Sequence, residues 1–445
     1  MTQKYKYLHF VDYSTFLLWD IKRYFMTQVS SSYPIVRLGD YIQEESAKYK
    51  INDPSKTYGI LGVNNQTGIF DAYREQGSNI KQKYKKMQVG WIAYNPYRVN
   101  VGSIGMRTDK QNYEYISPAY VVFSCKEKKL SPEFLYLLMK TDVFNQIIRE
   151  NTTGSVRQNL NYSVLSNLQI PLPSLDEQNN IVAAYNSALA QSALYARQAQ
   201  DIDTQIEAYW NNILGIETLQ ETTKQKTGYL QFCSFKYIEK WGYDFIRKGE
   251  INNSQTKYPS VRIIDVCDIS SGGTPARGRK EYYNGNIPWI KTGELKNEEL
   301  FDTEEKITDL GLENSSAKLY SKGSLVVAMY GATIGKTAKL GMDATTNQAC
   351  AVLFHIQNTR ISTDYLWLYI QSQTNKLKSM AYGGAQPNIN AGIIANYNVP
   401  LPPLAIQNEI VSHITSLRTE QKALQQQSLS LRSAAQHQFT QTIFN

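Results

Sequence analysis

One segment of this chain occurs twice, and the repeat limits the possible folds more than any other feature of the sequence. Residues 167–182 read Asn-Leu-Gln-Ile-Pro-Leu-Pro-Ser-Leu-Asp-Glu-Gln-Asn-Asn-Ile-Val, and residues 396–411 read Asn-Tyr-Asn-Val-Pro-Leu-Pro-Pro-Leu-Ala-Ile-Gln-Asn-Glu-Ile-Val. In both copies Pro-Leu-Pro separates an extended apolar segment from a long helical pattern, because proline lacks an N–H group and keeps the preceding residue out of the helical region. Each copy therefore predicts the end of a strand and the start of a helix.

Weaker echoes extend the repeat through the chain. Residues 7–19 resemble 229–241, and residues 130–137 resemble 361–368. A chain of 445 residues also exceeds the size that one hydrophobic core usually supports. We therefore predict two halves of one architecture: a globular domain at 1–165, a helix region at 166–215, a linker at 216–228, a second globular domain at 229–395 and a second helix region at 396–445.

Each globular domain mixes strand and helix patterns. Short runs of β-branched and aromatic residues bounded by glycine predict buried strands at 58–63, 119–123, 323–329 and 349–354. Apolar residues spaced three and four apart predict one helix per half, at 132–148 and 363–380. The expected fold class is therefore α/β (α+β), with an internal pseudo-two-fold repeat.

The two helix regions carry apolar residues in seven-residue rows, a spacing typical of coiled coils. Each helix exceeds 30 residues, which is longer than the face of a small domain. We therefore predict two long antiparallel helices that form a coiled coil and separate the domains, and we retain as an alternative an amphipathic helix packed on its own domain. The predicted helix-pairing residues are Ile181, Tyr185, Ala188, Tyr195, Ile202, Ile206, Tyr209, Ile213, Ile410, Ile414, Leu417, Leu424 and Leu431.

Composition restricts the possible partners. The excess of 47 Lys+Arg over 39 Asp+Glu gives a net charge of +8, and the chain has 32 tyrosines, which suits a polyanion and a recognition surface. Four dispersed cysteines and four dispersed histidines form no metal-binding spacing, so we expect no metal site. The longest apolar runs are too short to cross a bilayer, and residues 1–7 do not resemble a signal peptide, so we expect a cytoplasmic protein without a membrane partner.

Two short motifs suggest chemistry that the rest of the sequence does not support. Residues 331–337 read Gly-Ala-Thr-Ile-Gly-Lys-Thr, but a phosphate-binding loop needs four residues between its glycines and this segment has three. Asn95-Pro96-Tyr97 resembles the motif of amino-methyltransferases without its second proline, and a turn after a strand at 91–94 is the favoured interpretation. The pattern indicates a recognition protein without catalytic residues of its own.

The two-domain pattern resembles the specificity subunit of type I restriction-modification systems, over nearly the whole chain. The second half carries the more specific motifs: Ser-Ser-Gly-Gly-Thr-Pro at 270–275, Asn-Ile-Pro-Trp-Ile-Lys-Thr-Gly-Glu-Leu at 286–295, the glycine segment at 331–336, and Asn-Gln-Ala at 347–349. The first half departs from this pattern, because Glu44-Glu45-Ser46 stands where Gly-Gly-Thr-Pro is expected.

The resemblance implies a function in DNA recognition. Each globular domain is then a target-recognition domain that reads one half of a split double-stranded DNA sequence. The paired helices act as a ruler and dock two modification subunits, which bind S-adenosylmethionine and methylate adenine N6, and motor-nuclease subunits join for cleavage. This chain would hold no cofactor itself. The alternatives are a DNA methyltransferase with degenerate motifs and a coiled-coil scaffold that binds no DNA.

Basic residues in loops of both domains are the candidates for DNA contacts. Arginine after a glycine turn suits base readout, because its planar fork matches guanine O6 and N7, whereas lysine more often contacts the phosphate backbone. The candidates are Lys81, Lys83, Lys85, Lys86, Arg98 and Arg107 in the first domain, and Arg277, Arg279, Lys280, Lys291, Lys336 and Lys339 in the second.

Overall fold

The computed structural model describes residues 29–98, 102–126, 129–151, 159–216, 256–382 and 387–444. The chain divides into two compact units, one formed by Met1–Ala196 with Gln425–Asn445 and the other by Arg197–Leu424. The echoes at 7–19 and 229–241, and the linker predicted at 216–228 except Ile216, lie outside the described residues.

The first unit contains a globular domain built from three sheets. Strands β2, β10, β7 and β8 form an antiparallel sheet, β3, β6, β9, β4 and β5 form a mixed sheet, and β1 pairs with β11. Its core includes Leu38, Tyr94, Phe123 and Phe134. The strands are β1 Ile35–Arg37, β2 Ile42–Glu44, β3 Lys48–Tyr49, β4 Thr57–Asn64, β5 Gly68–Gln76, β6 Tyr84–Lys86, β7 Ile92–Tyr94, β8 Ile104–Met106, β9 Tyr115–Ile116, β10 Val121–Cys125 and β11 Gln169–Pro171, and the helices are α1 Pro132–Met139, α2 Asp142–Asn151, α3 Tyr162–Ser166 and the start of α4 Leu175–Leu214.

The second unit repeats this plan. Strands β13, β20, β17, β18 and β15 form one sheet, β16, β14 and β19 form another, and β12 pairs with β21. Its core includes Ile263, Leu325, Tyr365 and Ile410. The strands are β12 Ser260–Arg262, β13 Asp268–Ser271, β14 Tyr283–Ile290, β15 Glu298–Leu300, β16 Glu305–Ile307, β17 Leu325–Ala328, β18 Thr337–Leu340, β19 Thr345–Thr346, β20 Cys350–Phe354 and β21 Asn398–Pro400, and the helices are α5 Asp309–Glu313, α6 Thr363–Ser372, α7 Thr374–Ser379, α8 Ala391–Ala395 and the start of α9 Leu404–Phe444.

The repeated Pro-Leu-Pro segment ends a strand in each unit. Strand β11 stops at Pro171 and pairs antiparallel with β1, where Ile170 is opposite Val36. Strand β21 stops at Pro400 and pairs with β12, where Val399 is opposite Val261. The long helices begin a few residues later, so the predicted change from strand to helix is confirmed in both copies.

The prediction of one helix at 132–148 and one at 363–380 is wrong, because each region forms two helices. Between α1 and α2, the Thr141 hydroxyl donates to the Leu138 carbonyl at 2.8 Å and accepts from the Phe144 N–H at 3.2 Å. This side chain thus ends one helix and caps the next. In the second unit, Gln373 lies between α6 and α7.

A buried glutamine fixes the start of each long helix to its globular domain. The Gln178 side chain accepts from the Ser131 N–H at 2.8 Å and donates to the carbonyls of Lys129 and Pro173 at 3.1 and 2.9 Å. In the second unit, Gln407 forms the same three bonds with the Ser362 N–H and the carbonyls of Arg360 and Pro402, at 2.7, 3.0 and 2.8 Å. Both glutamines are 0% exposed.

Within the first unit, the start of α4 pairs antiparallel with the end of α9. The rings of Tyr185 and Phe439 lie 5.8 Å apart, and Phe439 also contacts Phe134 of α1 at 6.0 Å. Further along the pair, the Ser192 hydroxyl donates to the Ser428 carbonyl at 2.8 Å and the Ser428 hydroxyl donates to the Ser192 carbonyl at 2.9 Å. The end of α9 therefore packs into the core of the first domain.

Within the second unit, the end of α4 pairs antiparallel with the start of α9. The Gln421 side chain donates to the Ala199 carbonyl at 2.9 Å, and the rings of Tyr209 and His413 lie 4.1 Å apart. Trp210 packs against Tyr365 of α6 at 5.9 Å, so the end of α4 joins the core of the second domain. Every predicted helix-pairing residue, from Ile181 to Leu431, is buried or half-buried.

Candidate nucleic-acid interface

Three of the motifs in the second half converge on one packed cluster. The Gly273 N–H donates to the Thr346 carbonyl at 2.8 Å, and the Trp289 indole N–H donates to the Gly273 carbonyl at 2.9 Å. The Thr274 hydroxyl donates to the Gln348 side chain. We call residues 270–275, 286–290 and 346–349 the motif cluster. Segments that are distant in sequence thus form one site.

Glycine is required at two positions of the motif cluster because the backbones approach closely. A Cβ atom on Gly272 would overlap Thr346, and one on Gly273 would overlap the backbone nitrogen of Ala317. Glycine lacks this atom, so the chain can pass directly over β19. The segment after Pro275 leaves this anchor as an exposed loop, 276–280.

Arg277 of this loop lies against two aromatic rings and one carboxylate. Its guanidinium carbon is 4.8 Å from the centroid of Tyr283 and 4.8 Å from that of Trp289. Its Nη1 atom is 2.7 Å from Glu305 Oε2, and its side chain remains 55% exposed. The Tyr283 hydroxyl donates to the Pro275 carbonyl, which fixes the ring beneath the arginine.

Glu305 also holds a second cation. Lys291 Nζ lies 2.9 Å from Glu305 Oε1 and 3.2 Å from Glu304 Oε2. The hydrogen bond from Arg277, followed by that from Lys291, lowers the pKa of Glu305, and the same carboxylates raise the pKa of Lys291. These directions keep Glu305 ionised and Lys291 protonated at neutral pH.

The remaining second-domain candidates lie in less organised surroundings. Arg279 pairs with Glu281 at 3.4 Å, and Lys280 is exposed at the start of a 3-10 turn. Lys339 is 2.8 Å from Asp364 and 5.7 Å from the Trp367 ring centroid. Unlike these three residues, Arg277 combines a carboxylate partner with two aromatic rings.

The glycine segment that contains Lys336 is a tight hairpin loop between β17 and β18. Gly331 and Gly335 have φ angles of 64° and 78°, which glycine adopts readily. The Gly335 N–H donates to the Ala328 carbonyl at 3.0 Å and the Lys336 N–H to the Thr333 carbonyl at 2.8 Å. A phosphate-binding loop instead opens onto a helix N-terminus with its amides converging on the ligand, so this geometry differs from it.

The first-domain candidates are scattered over several loops and strands. Lys81, Lys83 and Arg98 are exposed, and Lys86 pairs with Glu114 at 3.1 Å. The Arg107 guanidinium donates to the Met87 carbonyl at 2.6 Å, so it stabilises the turn before β7.

The structure removes Lys85 from the set of candidate DNA contacts. Its side chain is 5% exposed, and its ammonium donates to the Tyr120 carbonyl at 2.9 Å. Burial lowers the pKa of Lys85, consistent with an ammonium group held inside the domain. The prediction for this residue is therefore wrong, because Lys85 lies on β6, between β3 and β9 of the five-stranded sheet, and its side chain is buried.

Sequence reasoning did not single out Tyr283, Glu305, or two exposed tyrosines of the first domain. Tyr49 of β3 and Tyr73 of β5 are each 48% exposed on the sheet that also carries Lys86. The high tyrosine content was the only sequence signal for the three tyrosines, because a single tyrosine in a strand is compatible with the core as well as with a binding surface.

Other predicted features have ordinary structural roles. The Asn95 side chain accepts from the Tyr97 N–H at 3.0 Å, so Asn-Pro-Tyr forms a turn after β7. Burial raises the pKa of the Cys125 and Cys267 thiols to about 12. Within the described residues, no helix is long and apolar enough to span a bilayer, and no three His, Cys, Asp or Glu side chains are grouped to hold a metal ion.

A duplicated α/β domain, followed each time by a long pairing helix, defines the class: a two-domain protein with an internal repeat. The model of the family described as type I restriction modification DNA specificity domain matches residues 35–202 and 255–430, and the chain belongs to this family.

Known relatives agree with this membership. The type I restriction enzyme MjaIX specificity subunit of Methanocaldococcus jannaschii is 25% identical over 178 residues, which are 39% of this chain and 40% of the relative. The HindI specificity subunit of Haemophilus influenzae is 22% identical over 387 residues, covering 75% of this chain and 83% of the relative. The first alignment thus spans less than half of its relative.

A chain from a structure described as the structural basis of complex assembly and conformational transition of the type I R-M system aligns with 94% of this chain and 98% of its own length. The TM-score is 0.61 at 17% identity, so this likeness concerns the fold.

Proposed function

We propose that this chain is the DNA-specificity subunit of a type I restriction-modification complex and that it carries out no catalysis itself. The observation that carries the proposal is the duplication: both halves match the DNA-specificity family, and in each unit a globular domain is fixed to a long helix that pairs with the other helix. A recogniser of a two-part target requires two reading domains and a defined separation between them.

Each globular domain binds one half of a split target in double-stranded DNA. In the second domain, Arg277, Arg279 and Lys280 follow the motif cluster, with Lys291, Lys336 and Lys339 as further contacts. In the first domain the exposed Lys81, Lys83 and Arg98 are available to DNA. Lys86 and Arg107 complete this set. Surface ion pairs such as Lys86–Glu114 contribute little stability, so a phosphate can replace the carboxylate.

The paired helices set the number of unread base pairs between the half-sites. Helix α4 has 40 residues and α9 has 41. At about 1.5 Å per residue each is roughly 60 Å long, which exceeds one turn of duplex DNA at about 34 Å. The same helices dock two modification subunits, which bind S-adenosylmethionine and methylate adenine N6. Motor-nuclease subunits join this complex for cleavage.

Salt-dependent DNA binding tests this function. The full chain, copurified with its modification subunits, is expected to bind duplex DNA with an affinity that falls as salt rises. The logarithmic slope should be about −0.9 per neutralised phosphate. Fluorescence anisotropy with genomic fragments that contain the host methylation motif, and with motif-free fragments of equal length, measures both affinity and specificity.

The same preparation separates the alternatives. A complex with no duplex binding at any salt concentration would favour the coiled-coil scaffold. Binding of S-adenosylmethionine by the purified chain alone, measured by calorimetry, would favour the methyltransferase with degenerate motifs. Deletion of the chain from the host should abolish the methylated motif in genome-wide sequencing.

A further inference from the structure

Arg277 has the contacts of a residue prepared for base readout. Arginine side chains are flexible in water, and ordering one on binding costs conformational entropy. Here the cation–π contacts with Tyr283 and Trp289, each 4.8 Å from the guanidinium carbon to the ring centroid, and the 2.7 Å contact with Glu305 already restrict the guanidinium. Trp289 is itself 1% exposed and bonded to Gly273, so the surface beneath the arginine is rigid.

The contact with Glu305 holds Arg277 without enclosing it. The arginine side chain is 55% exposed and the glutamate side chain 33% exposed. An ion pair at such exposure contributes less than a bidentate contact with a base. The exposed edge of the fork is therefore available to a ligand while the carboxylate holds one Nη atom of the guanidinium.

Neighbouring cations lack this arrangement. Arg279 contacts Glu281 at 3.4 Å and is 67% exposed, so it is less restricted than Arg277. Lys291 is held by two carboxylates and presents a point charge instead of a planar fork. The loop thus contains one oriented guanidinium, flanked by basic residues suited to phosphates.

Building on the function proposed above, we propose that Arg277 reads a guanine in the half-site bound by the second domain, by donating to O6 and N7 in the major groove, and that Glu305 is its positioning residue. Tyr283 and Trp289 contact the guanidinium from two nearly perpendicular rings and restrict its position. Discrimination of guanine from the other bases comes from the planar fork of the arginine, so another positive charge such as lysine does not replace it.

Methylome sequencing of a host that lacks its native chain tests this assignment. The full chain is expressed with its modification subunits as wild type, Arg277→Lys, Arg277→Ala or Glu305→Gln. Both Arg277 variants should lose about tenfold or more of the preference for guanine at one position of one half-site, with the other half-site unchanged. Glu305→Gln should keep the motif but lower the methylated fraction at limiting expression, because Glu305 holds both Arg277 and Lys291.

Arg262→Lys is the matched control, because Arg262 is a similarly exposed arginine that contacts a carboxylate, Asp265, at 2.8 Å. It should leave every motif position unchanged. Thermal melting of each variant checks that the fold is retained.

Three outcomes would count against the assignment. If wild type directs methylation and both Arg277 variants keep its motif and base preferences, the assignment is overturned while the proposed function stands. The assignment is also overturned, and the proposed function stands, if the wild-type motif has no G·C pair at a half-site position where the Arg277 variants change the base preference. A wild-type complex that neither methylates nor binds DNA overturns the proposed function and the assignment together.

Discussion

A single glutamine joins each long helix to its domain through three hydrogen bonds, and the arrangement is the same in both copies of the repeat. Gln178 and Gln407 were visible in the repeated segment, but a glutamine in the first turn of a helix is usually exposed. Their burial depends on the loop before α1 or α6 lying over the helix start, a tertiary contact that local pattern does not encode. Sequence reasoning therefore located the junction and missed the side chain that fixes it.

Replacing Gln407 with alanine is expected to lower the free energy of unfolding by about 2–4 kcal/mol, because the Ser362 N–H and the Arg360 carbonyl lose their buried partner. Urea denaturation of the full chain measures this. Asn408→Ala is the control: Asn408 is the exposed neighbour on the same helix turn and should change the free energy by less than about 0.5 kcal/mol. Equal effects of the two substitutions would contradict the structural role of Gln407.

Lys85 illustrates a second limit at the scale of one residue. Four lysines between positions 81 and 86 have the composition of a solvated surface, yet one of them points into the domain. The difference is made by Tyr120, whose backbone carbonyl accepts a hydrogen bond from the Lys85 ammonium group. An acceptor 35 residues away in sequence cannot be inferred from the run itself.

At the scale of elements, the helix pair contains polar residues at positions that a seven-residue repeat reserves for apolar ones. On α9, Ile414, Gln421, Ser428 and Ala435 form a seven-residue row that is weaker because two of its members are polar. The structure gives both Gln421 and Ser428 a partner on α4. Polar side chains in such a seam favour one register, since any shift leaves them buried without a partner. The weaker row thus specifies the alignment of the helices.

This register can be trapped chemically. The hydroxyl oxygens of Ser192 and Ser428 are 3.0 Å apart, so Ser192→Cys combined with Ser428→Cys is expected to form a disulfide on mild oxidation. Mass spectrometry of the digested chain identifies the linked peptides. Ser192→Cys with Ala435→Cys, displaced by one heptad and about 10 Å, should remain unlinked. Cross-linking of the displaced pair in preference to the first would show that the register is different.

The helix breaks at Thr141 and Gln373 show why the shorter helices were harder to predict. Apolar spacing continues through both breaks, because α1 and α2, and likewise α6 and α7, face the same core. Threonine is tolerated inside helices as well as at their caps, so its hydroxyl bonds to Leu138 and Phe144 decide the outcome.

At the scale of the whole molecule, the duplication predicted two halves of one architecture. Strand and helix patterns predicted the mixed domains, and the seven-residue apolar rows predicted the long antiparallel helices. The strand pairs around Ile170 and Val399, in corresponding registers, confirm the repeated fold. The convergence of the motif cluster was not predictable, because its bonds join residues such as Gly273 and Trp289 across separate strands. Composition indicated basic surfaces but could not distinguish the oriented Arg277 from its neighbours.

Deleting one heptad from each long helix tests whether the paired helices set the spacing between the half-sites. Removal of residues 193–199 and 421–427 takes out the bonded pair Ala199 and Gln421 together, and it keeps Ser192 opposite Ser428. The helices shorten by about 10 Å, so the unread spacer should shrink by about three base pairs while both half-sites keep their sequence. Methylome sequencing reads the new motif directly.

Deletion of residues 193–199 alone is the control for this experiment. It leaves Gln421 without its partner carbonyl and shifts the two helices out of register, so both thermal stability and methylation should fall. If the matched double deletion changed the bases of either half-site and kept the spacer, the helices would not act as a ruler.

The loop that carries Arg277 is anchored mainly through main-chain atoms, with one side-chain bond from Thr274 to Gln348. Gly272 and Gly273 bond through their backbone N–H groups, and Pro275 through its carbonyl, whereas all five residues from 276 to 280 are exposed. Backbone anchors are indifferent to the side chains that follow them. Substitutions at these five positions should therefore cost little stability, and new target sequences can arise without a new fold.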